Sequence, residues 1–470
     1  MKCTKIIATL GPSLNSPSKL KKALDNGVNV FRLNFSHGDI KSHSEQISTI
    51  RSVAKTYKRP VGILADMPGP KIRIGNFAKN EPIYLARGAT CILTNRKVPG
   101  SIKEIPLEYE KLPSIVKKGD QILLADGMLE LKVLSQNKKD IKCKVIVGGE
   151  LRQRKGINIP NRYIPISPFT QKDREILKVV SQLDIDYVAL SFVQKESDIS
   201  KAKNWMKKYG KVLPIIAKIE KPQAVEHIDS ILNVADAIMI ARGDLGVEVP
   251  TSQVPSIQKF LIQRAAAFSK PVITATQMLE SMTFNPRPTR AETTDVANAI
   301  WDGTDAVMLS GETAMGNYPL AAIKMMNSII TNAEENREFL QDVLPKESRT
   351  DADNIIHAAS SISQNTSYKA IIVYTESGKT AISLSKARPK CPIWALTPSL
   401  ETYRKMSLIW GVQSLISPKG KNVDDLFKLG DQNLIRHTML KKNDTVIVIA
   451  GTGLSSGATN ILKIHQLGET

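Results

Sequence analysis

The chain has 470 residues, 42% of them hydrophobic, enough to bury a large core and to predict two or more domains. A formal net charge of +20, from 65 Lys and Arg against 45 Asp and Glu, favours anionic partners, but the cations are dispersed and only 10 Phe and 4 Trp offer base stacking, so no nucleic-acid partner is expected. Cys3, Cys91, Cys143 and Cys391 form no CxxC pair, which excludes a zinc knuckle and a disulfide framework; no apolar run is long enough for a signal or a membrane span, and the chain reads as cytoplasmic.

In chain order, short Val, Ile, Leu and Ala runs begin with KIIATL (5–10), VFRLNF (30–35) and GILADM (62–67). They resume with YVALSF (187–192), PIIAKIE (214–220), AIMIARG (237–243), VITATQ (272–277) and AVMLSGE (306–312). Helix-period segments such as SEQISTIRSVAKTYK and QKDREILKVVSQL separate them. Continuous apolar strands alternating with amphipathic helices indicate a parallel sheet covered by helices, and eight such units fit a (β/α)8 TIM barrel. Between Pro70 and Ile166 the pattern gives way to short alternating strands, including QILLADGMLELKV, whose Asp126-Gly127 predicts a tight hairpin. This reads as an inserted small all-β domain, hung from the loop after the third strand as a lid over the site. Beyond Arg337, AIIVYT, PIWALT, VQSLIS and DTVIVIAG alternate with helical stretches and predict a C-terminal open α/β domain joined by FLQDVLPKESRTDADN. The expected divisions are a barrel in two parts, 1–69 and 167–337, a lid over 70–166 and a regulatory domain over 338–470.

Arg32, Asn34, Asp66, Lys218, Glu220, Arg242, Asp244, Thr276 and Glu312 stand at or just past strand C-termini, the face where barrel enzymes keep their chemistry. Lys218 and Glu220 share strand parity, and Asp244 ends the next strand, so a lysine and two carboxylates converge. Two carboxylates on neighbouring strands suit Mg2+ or Mn2+, which complete their octahedron with water and substrate oxygens. Lys218 and Glu220 also read as an internal salt bridge.

The segment IIAKIEKPQAV resembles the active-site signature of the pyruvate kinase family. FRLNFSHG, ADMPGPKIRIG, KGINIP, ARGDLGVE, TATQMLESM, NPRPTRAE and VMLSGETAMGNYP resemble its other blocks in order and spacing. The resemblance implies phosphoryl transfer from phosphoenolpyruvate to ADP, giving pyruvate and ATP, in a homotetramer. It implies that Glu220 and Asp244 hold the divalent ion and that Lys218 stabilises the transferring phosphoryl group and the enolate. The backbone of Ala241, Arg242 and Gly243 with the Thr276 hydroxyl would cradle the substrate carboxylate, Thr276 relaying a proton with Glu312 as a further relay candidate. Arg32 would grip phosphate, with Asn34, His37, Arg73 and Lys155 around the nucleotide phosphates and Pro12 by its base or ribose. His37 also reads as a helix-capping or packing histidine, and Pro12 as a turn.

The family's monovalent-cation groups match Asn34, Ser36, Asp66 and the backbone of Met67. Potassium-dependent relatives carry Thr at the position of Met67 and Glu at that of Lys71, so here one oxygen ligand is lost and a charge is reversed. The expectation is that the Lys71 ammonium replaces K+, the other reading being that Lys71 points into solvent. Thr375, Ser377, Gly378, Lys379 and Thr380 lie between a strand and a helix, suited to hold the phosphate of an allosteric effector, or else form an ordinary tight loop. Val373 replaces the first glycine of a Walker A loop, and Ser456 in GTGLSSG breaks the dinucleotide pattern. The second loop, AGTGLSSGATN, lacks the arginine and tryptophan of some fructose-bisphosphate-responsive relatives. The rival readings are a Mg-dependent barrel enzyme of phosphoenolpyruvate or oxaloacetate enolate chemistry, and a catalytically dead basic scaffold.

Overall fold

The computed structural model describes residues 2–469 apart from 58, 161, 163, 165, 341–349, 365–366 and 452–458. Eight parallel strands close a barrel: β1 (Lys5–Thr9), β2 (Val28–Asn34), β3 (Gly62–Asp66), β4 (Tyr187–Leu190), β5 (Ile215–Ile219), β6 (Ala237–Ala241), β7 (Val272–Ala275) and β8 (Ala306–Leu309). Each is one of the eight apolar runs, cut short at its C-terminal end where the chain turns into the loops that carry the polar side chains.

The two-residue period of the strands sorts their side chains into two cores. Ile7, Val30, Leu64, Tyr187, Ile216, Met239, Ile273 and Met308 belong to one buried cluster that fills the barrel. Ile6, Phe31, Leu33, Ile63, Val188, Ile215, Ile238 and Val307, of the opposite parity, belong to a second cluster shared with the surrounding helices. Two residues further along the inward face stand Thr9, Arg32, Asp66, Lys218, Ala241 and Ser310. The interior is thus layered, apolar below and charged at the C-terminal mouth.

Between β3 and β4 the chain builds a six-stranded sheet and a two-stranded one around their own buried cluster, which includes Ile74, Leu93, Ile122, Leu131, Cys143 and Ile157. The expected hairpin is present: Gln121–Leu124 pairs antiparallel with Leu129–Gln136, and Ala125, Asp126 and Gly127 all adopt positive φ. The C-terminal sheet holds the four expected parallel strands, Ile371–Tyr374, Ile393–Thr397, Val412–Ile416 and Thr445–Ala450. A fifth strand, Ile461–Gln466, adds antiparallel at the edge; its mixed, largely exposed sequence gave no buried-strand signal. The expected linker is shorter than its sequence suggested, because Asp351–Ile362 is helical and capped by Thr350, while residues 341–349 lie outside those described.

The barrel-filling cluster continues into Ile371, Val373, Ile393, Ala395, Ile447 and Ile449 of this last sheet. Polar ties reinforce the junction: Lys5 Nζ donates to the Val412 carbonyl at 2.8 Å, Tyr187 Oη donates to the Lys405 carbonyl, and Asp305 receives Lys386 and Arg388. Lys5, Tyr187 and Asp305 stand at or just before the N-terminal ends of barrel strands, so the C-terminal domain seals the floor of the barrel and leaves the charged mouth free.

Candidate active site

At the mouth lies a cavity of about 590 Å³ lined by Pro12, Arg32, Asn34, His37, Asp66, Lys218, Ala241, Asp244 and Thr276 among others. Nine residues singled out from the sequence therefore share one chamber. Asp66, in register with Asn34 across β2 and β3, is the central anion. Its Oδ2 accepts from Arg32 Nε at 2.6 Å and its Oδ1 from Lys218 Nζ at 3.3 Å. Lys218 also reaches Glu220 Oε1 at 2.9 Å and Ser191 Oγ at 2.8 Å. The second Glu220 oxygen accepts from the Phe192 amide at 2.8 Å.

Burial penalises every charge here, so each protonation state is set by the balance of burial against charge pairing. For Asp66 burial pushes the carboxyl upward, but the Arg32 and Lys218 cations outweigh it and hold the group below the usual carboxylate range. For Lys218 burial opposes the cation, but Asp66 and Glu220 prevail and raise it above an ordinary lysine. Glu220 is raised, chiefly by burial, with Lys218 opposing and the Asp244 charge adding to the rise. The electrostatic influence of Asp244 on both Glu220 and Lys218 places all three in one field.

Asp244 sits in the first turn of the short helix Arg242–Glu248 and is partly exposed. Thr276, just past β7, has φ 69°, and Gln277 follows at φ 54°. A β-branched residue in that region is strained and persists only where its surroundings fix it. They do: Arg242 Nη2 donates to the Thr276 carbonyl at 3.0 Å, and the Thr276 hydroxyl accepts from the Gly243 amide at 2.7 Å while donating to the Ala275 carbonyl. Arg242 is itself anchored by Asp295 Oδ1 at 2.7 Å.

The remaining residues divide. Arg73 and Lys155 lie on adjoining segments of the inserted sheets, where Arg73 bridges Gly156 and donates to the Arg154 carbonyl at 2.8 Å; neither lines the cavity. Glu312 is fully buried and accepts from the backbone amides of Leu279 and Ser310, contacts that fix loops. His37 is exposed at the cavity wall, and the packing role considered for it falls to His43, which contacts the His37 carbonyl and stacks on Phe35 at 4.2 Å. The Lys71 ammonium lies 2.8 Å from the exposed Asp126 and 3.8 Å from Asp244; its ion pairs are with these two carboxylates and not with Asp66, where it was expected to stand in for K+. Three residues that sequence reasoning passed over matter here: Ser191, which joins Lys218 to the Met67 carbonyl, Phe192, whose amide holds Glu220, and Asp295. Ser191 and Phe192 close the run YVALSF, where position at a strand end was the available signal.

In the C-terminal domain, Gly378 adopts φ 85° and its amide donates to Thr375 Oγ1 at 2.9 Å, opening the helix Lys379–Lys386. The Thr380 hydroxyl meets that of Thr459 at 2.7 Å. Most of the second loop, residues 452–458, lies outside the described residues.

As for a metal, among the described residues no group of three or more His, Cys, Asp and Glu side chains gathers as a ligand cage. The pair Glu220 and Asp244 fits instead a hard divalent cation that takes few protein oxygens.

A closed parallel barrel with paired carboxylates, a lysine and an arginine at its C-terminal mouth defines an enzyme that works on anionic substrates. The family model described as pyruvate kinase, barrel domain, matches residues 1–323, and that of the pyruvate kinase alpha/beta domain matches residues 353–465. The pyruvate kinase of Thermotoga maritima is 40% identical over 467 residues, covering 99% of this chain and 100% of that one. That of Staphylococcus aureus strain MRSA252 is 41% identical over 477 residues, covering 100% of this chain and 81% of that one. The solved structure of a pyruvate kinase from Cryptosporidium parvum superposes with a TM-score of 0.92 at 35% identity, covering 99% of this chain and 96% of its own. The chain belongs to the pyruvate kinase family, and it is a phosphotransferase.

Proposed function

We propose that the chain transfers the phosphoryl group of phosphoenolpyruvate to ADP without needing K+. The observation that carries this reading is the contact set of Lys218, which lines the same cavity as Asp66, Arg32, Asp244 and Thr276 and whose ammonium touches Asp66 and the buried Glu220 behind that wall. Glu220 and Asp244 would hold Mg2+ or Mn2+. When bound, that ion compensates the charge of the substrate carboxylate and of the oxygen that becomes the enolate. Lys218 stabilises the phosphoryl group in transit and the enolate left behind, because phosphoryl transfer asks mainly for position and charge compensation. Arg32, held by Asp66 and by Thr9 Oγ1 at 3.0 Å, presents a preoriented guanidinium to phosphate. The Ala241, Arg242 and Gly243 backbone and the Thr276 hydroxyl orient the carboxylate, and Thr276 delivers a proton to the methylene carbon. Pro12, Asn34 and His37 receive the nucleotide, with Arg73 and Lys155 arriving on its phosphates as the inserted domain closes and excludes water.

The potassium-free part rests on the groups expected to bind a monovalent ion, which already hold protein partners, and on the extra positive charge that Lys71 brings to Asp244 beside them. Asp66 already carries two cations, the Met67 carbonyl accepts from Ser191 at 2.7 Å, and Asn34 Oδ1 accepts from the Ser36 amide at 3.1 Å. A coupled assay of ATP formation tests both parts. Turnover that requires Mg2+ or Mn2+ and persists in potassium- and sodium-free buffer is the expected result. Strong activation by added K+ refutes the Lys71 role, and lack of ATP formation refutes the reaction. The Gly378 loop is assigned to a phosphorylated effector, and the assembly to a homotetramer in the cytoplasm, by likeness to the family; among the described residues no helix is long and apolar enough to cross a membrane.

A further inference from the structure

Glu248 lies on the helix that bears Asp244, four residues further on and so on the same face. Its carboxylate is 4% exposed, far from the bulk water that usually stabilises such a charge. A single oxygen, Oε1, receives two donors: Lys221 Nζ at 2.5 Å and Asn158 Nδ2 at 2.7 Å. Each donor comes from a different part of the machinery. Lys221 directly follows Glu220 in extended backbone (φ −129°, ψ 146°), so its side chain leaves on the side opposite Glu220. Its ammonium also lies 5.9 Å from the centre of the Phe192 ring, and the Phe192 amide is the one that holds Glu220. Asn158 is buried on the strand Ile157–Asn158 of the inserted sheet, three residues beyond Lys155, roughly 10 Å of extended chain.

We infer that Glu248 is a positioning residue that anchors the C-terminal end of the inserted domain to the barrel, the fixed point from which that domain closes to bring Arg73 and Lys155 onto ADP. One buried oxygen joins the helix of Asp244, the residue next to Glu220 and the strand that follows Lys155. Displacing the Asn158 strand leaves the Glu248 carboxylate with one donor fewer in a place with little water, so the pairing holds this end of the inserted domain in one position while the rest can close. Glu248 touches no substrate in this scheme and acts through Asn158 and Lys221. The inference rests on the phosphoryl-transfer reading, and it adds the residue that sets where Arg73 and Lys155 arrive.

The test is steady-state kinetics on the full chain with Mg2+, for Glu248→Gln, Asn158→Ala and the double variant, varying ADP and phosphoenolpyruvate separately. Asn158→Ala is expected to raise KM for ADP about tenfold, the order of a lost buried charge-assisted hydrogen bond, and Glu248→Gln, which keeps a neutral acceptor, by less. KM for phosphoenolpyruvate should stay within about twofold, since that substrate's contacts lie on the barrel. The double variant should be no worse than Asn158→Ala, because without the Asn158 amide there is no cross-domain hydrogen bond left for Glu248→Gln to weaken. Equal rises in both KM values, or additive effects, would overturn the assignment and leave Glu248 as a mere buttress. If Glu248→Gln does not fold, Asn158→Ala carries the ADP-against-phosphoenolpyruvate comparison alone. The unsubstituted enzyme keeps the two claims apart: no ATP formation sinks the reaction and this assignment with it, whereas ATP formation with an unsplit KM pattern sinks only the role of Glu248.

Discussion

Replacing Asp66 with Asn removes one negative charge from between two buried cations while keeping the side chain's size. Arg32 Nε lies 2.6 Å and Lys218 Nζ 3.3 Å from its oxygens. At an effective dielectric near 20 these separations correspond to about 6 and about 5 kcal/mol of gross attraction. Desolvation of the three groups offsets much of that, and removing one member of a buried pair costs on the order of 3–5 kcal/mol. Asn keeps an acceptor for Arg32, and Lys218 keeps Glu220 at 2.9 Å, so the loss belongs near the lower figure and the variant should fold. Its ammonium, released from Asp66, is drawn toward Glu220 and away from the phosphoryl path; a displacement of this kind costs roughly a hundredfold in turnover. Urea denaturation and the coupled assay measure the two effects. The acid limb gives an independent check. The folded Asp66 carboxyl is depressed, so its stabilisation is present above the unfolded value near about pH 4 and is lost as pH falls through the folded one; the Asn variant should lack that component. A variant with an unchanged urea midpoint and turnover within about fivefold of the parent would refute the placement of Asp66 as the keystone of the site.

Three further outcomes follow from other contacts. A Cβ on Gly243 would stand 3.3 Å from Thr276 Oγ1, so Gly243→Ala should displace that hydroxyl and raise KM for phosphoenolpyruvate with little change for ADP, measured by steady-state kinetics. Lys5 is held down to about 8, mainly by burial, whereas its unfolded value is 10.5; between those pH values the unfolded chain binds a proton the fold does not, so stability rises with pH. Lys2 and Lys386, lowered to about 7 and about 8, act in the same direction, so Lys5→Met should flatten the rise in urea midpoint between pH 8 and 10 without abolishing it. Lys379→Ala should weaken activation by sugar phosphates, and activation unchanged for every one tested would remove the effector role.

Strand period and placement at strand ends made the barrel, its charged mouth and the convergence of Lys218 with Glu220 legible before any coordinates. An inward residue at the C-terminal end of a barrel strand has few places to go, so local pattern determined tertiary position. What stayed hidden was partnership. Nothing near Lys71 in sequence points to Asp126, and the pairing of Asn158 with Glu248 spans 90 residues and two domains. The roles of Ser191 and Phe192 depend on the loop after β4, where Phe192 takes φ 57°, a conformation its residue type does not announce. The edge strand Ile461–Gln466 escaped because a half-exposed strand carries a weaker apolar signal than the buried ones beside it.

The central claim is that Glu220 and Asp244 share one divalent ion beside the Lys218 ammonium. Anomalous diffraction from crystals soaked in Mn2+ with phosphoenolpyruvate measures this directly. The account predicts a single strong peak coordinated by both carboxylates, with the substrate phosphate between Lys218 and Arg32. A peak bound elsewhere, or to only one of the two carboxylates with substrate remote from Lys218, would contradict it.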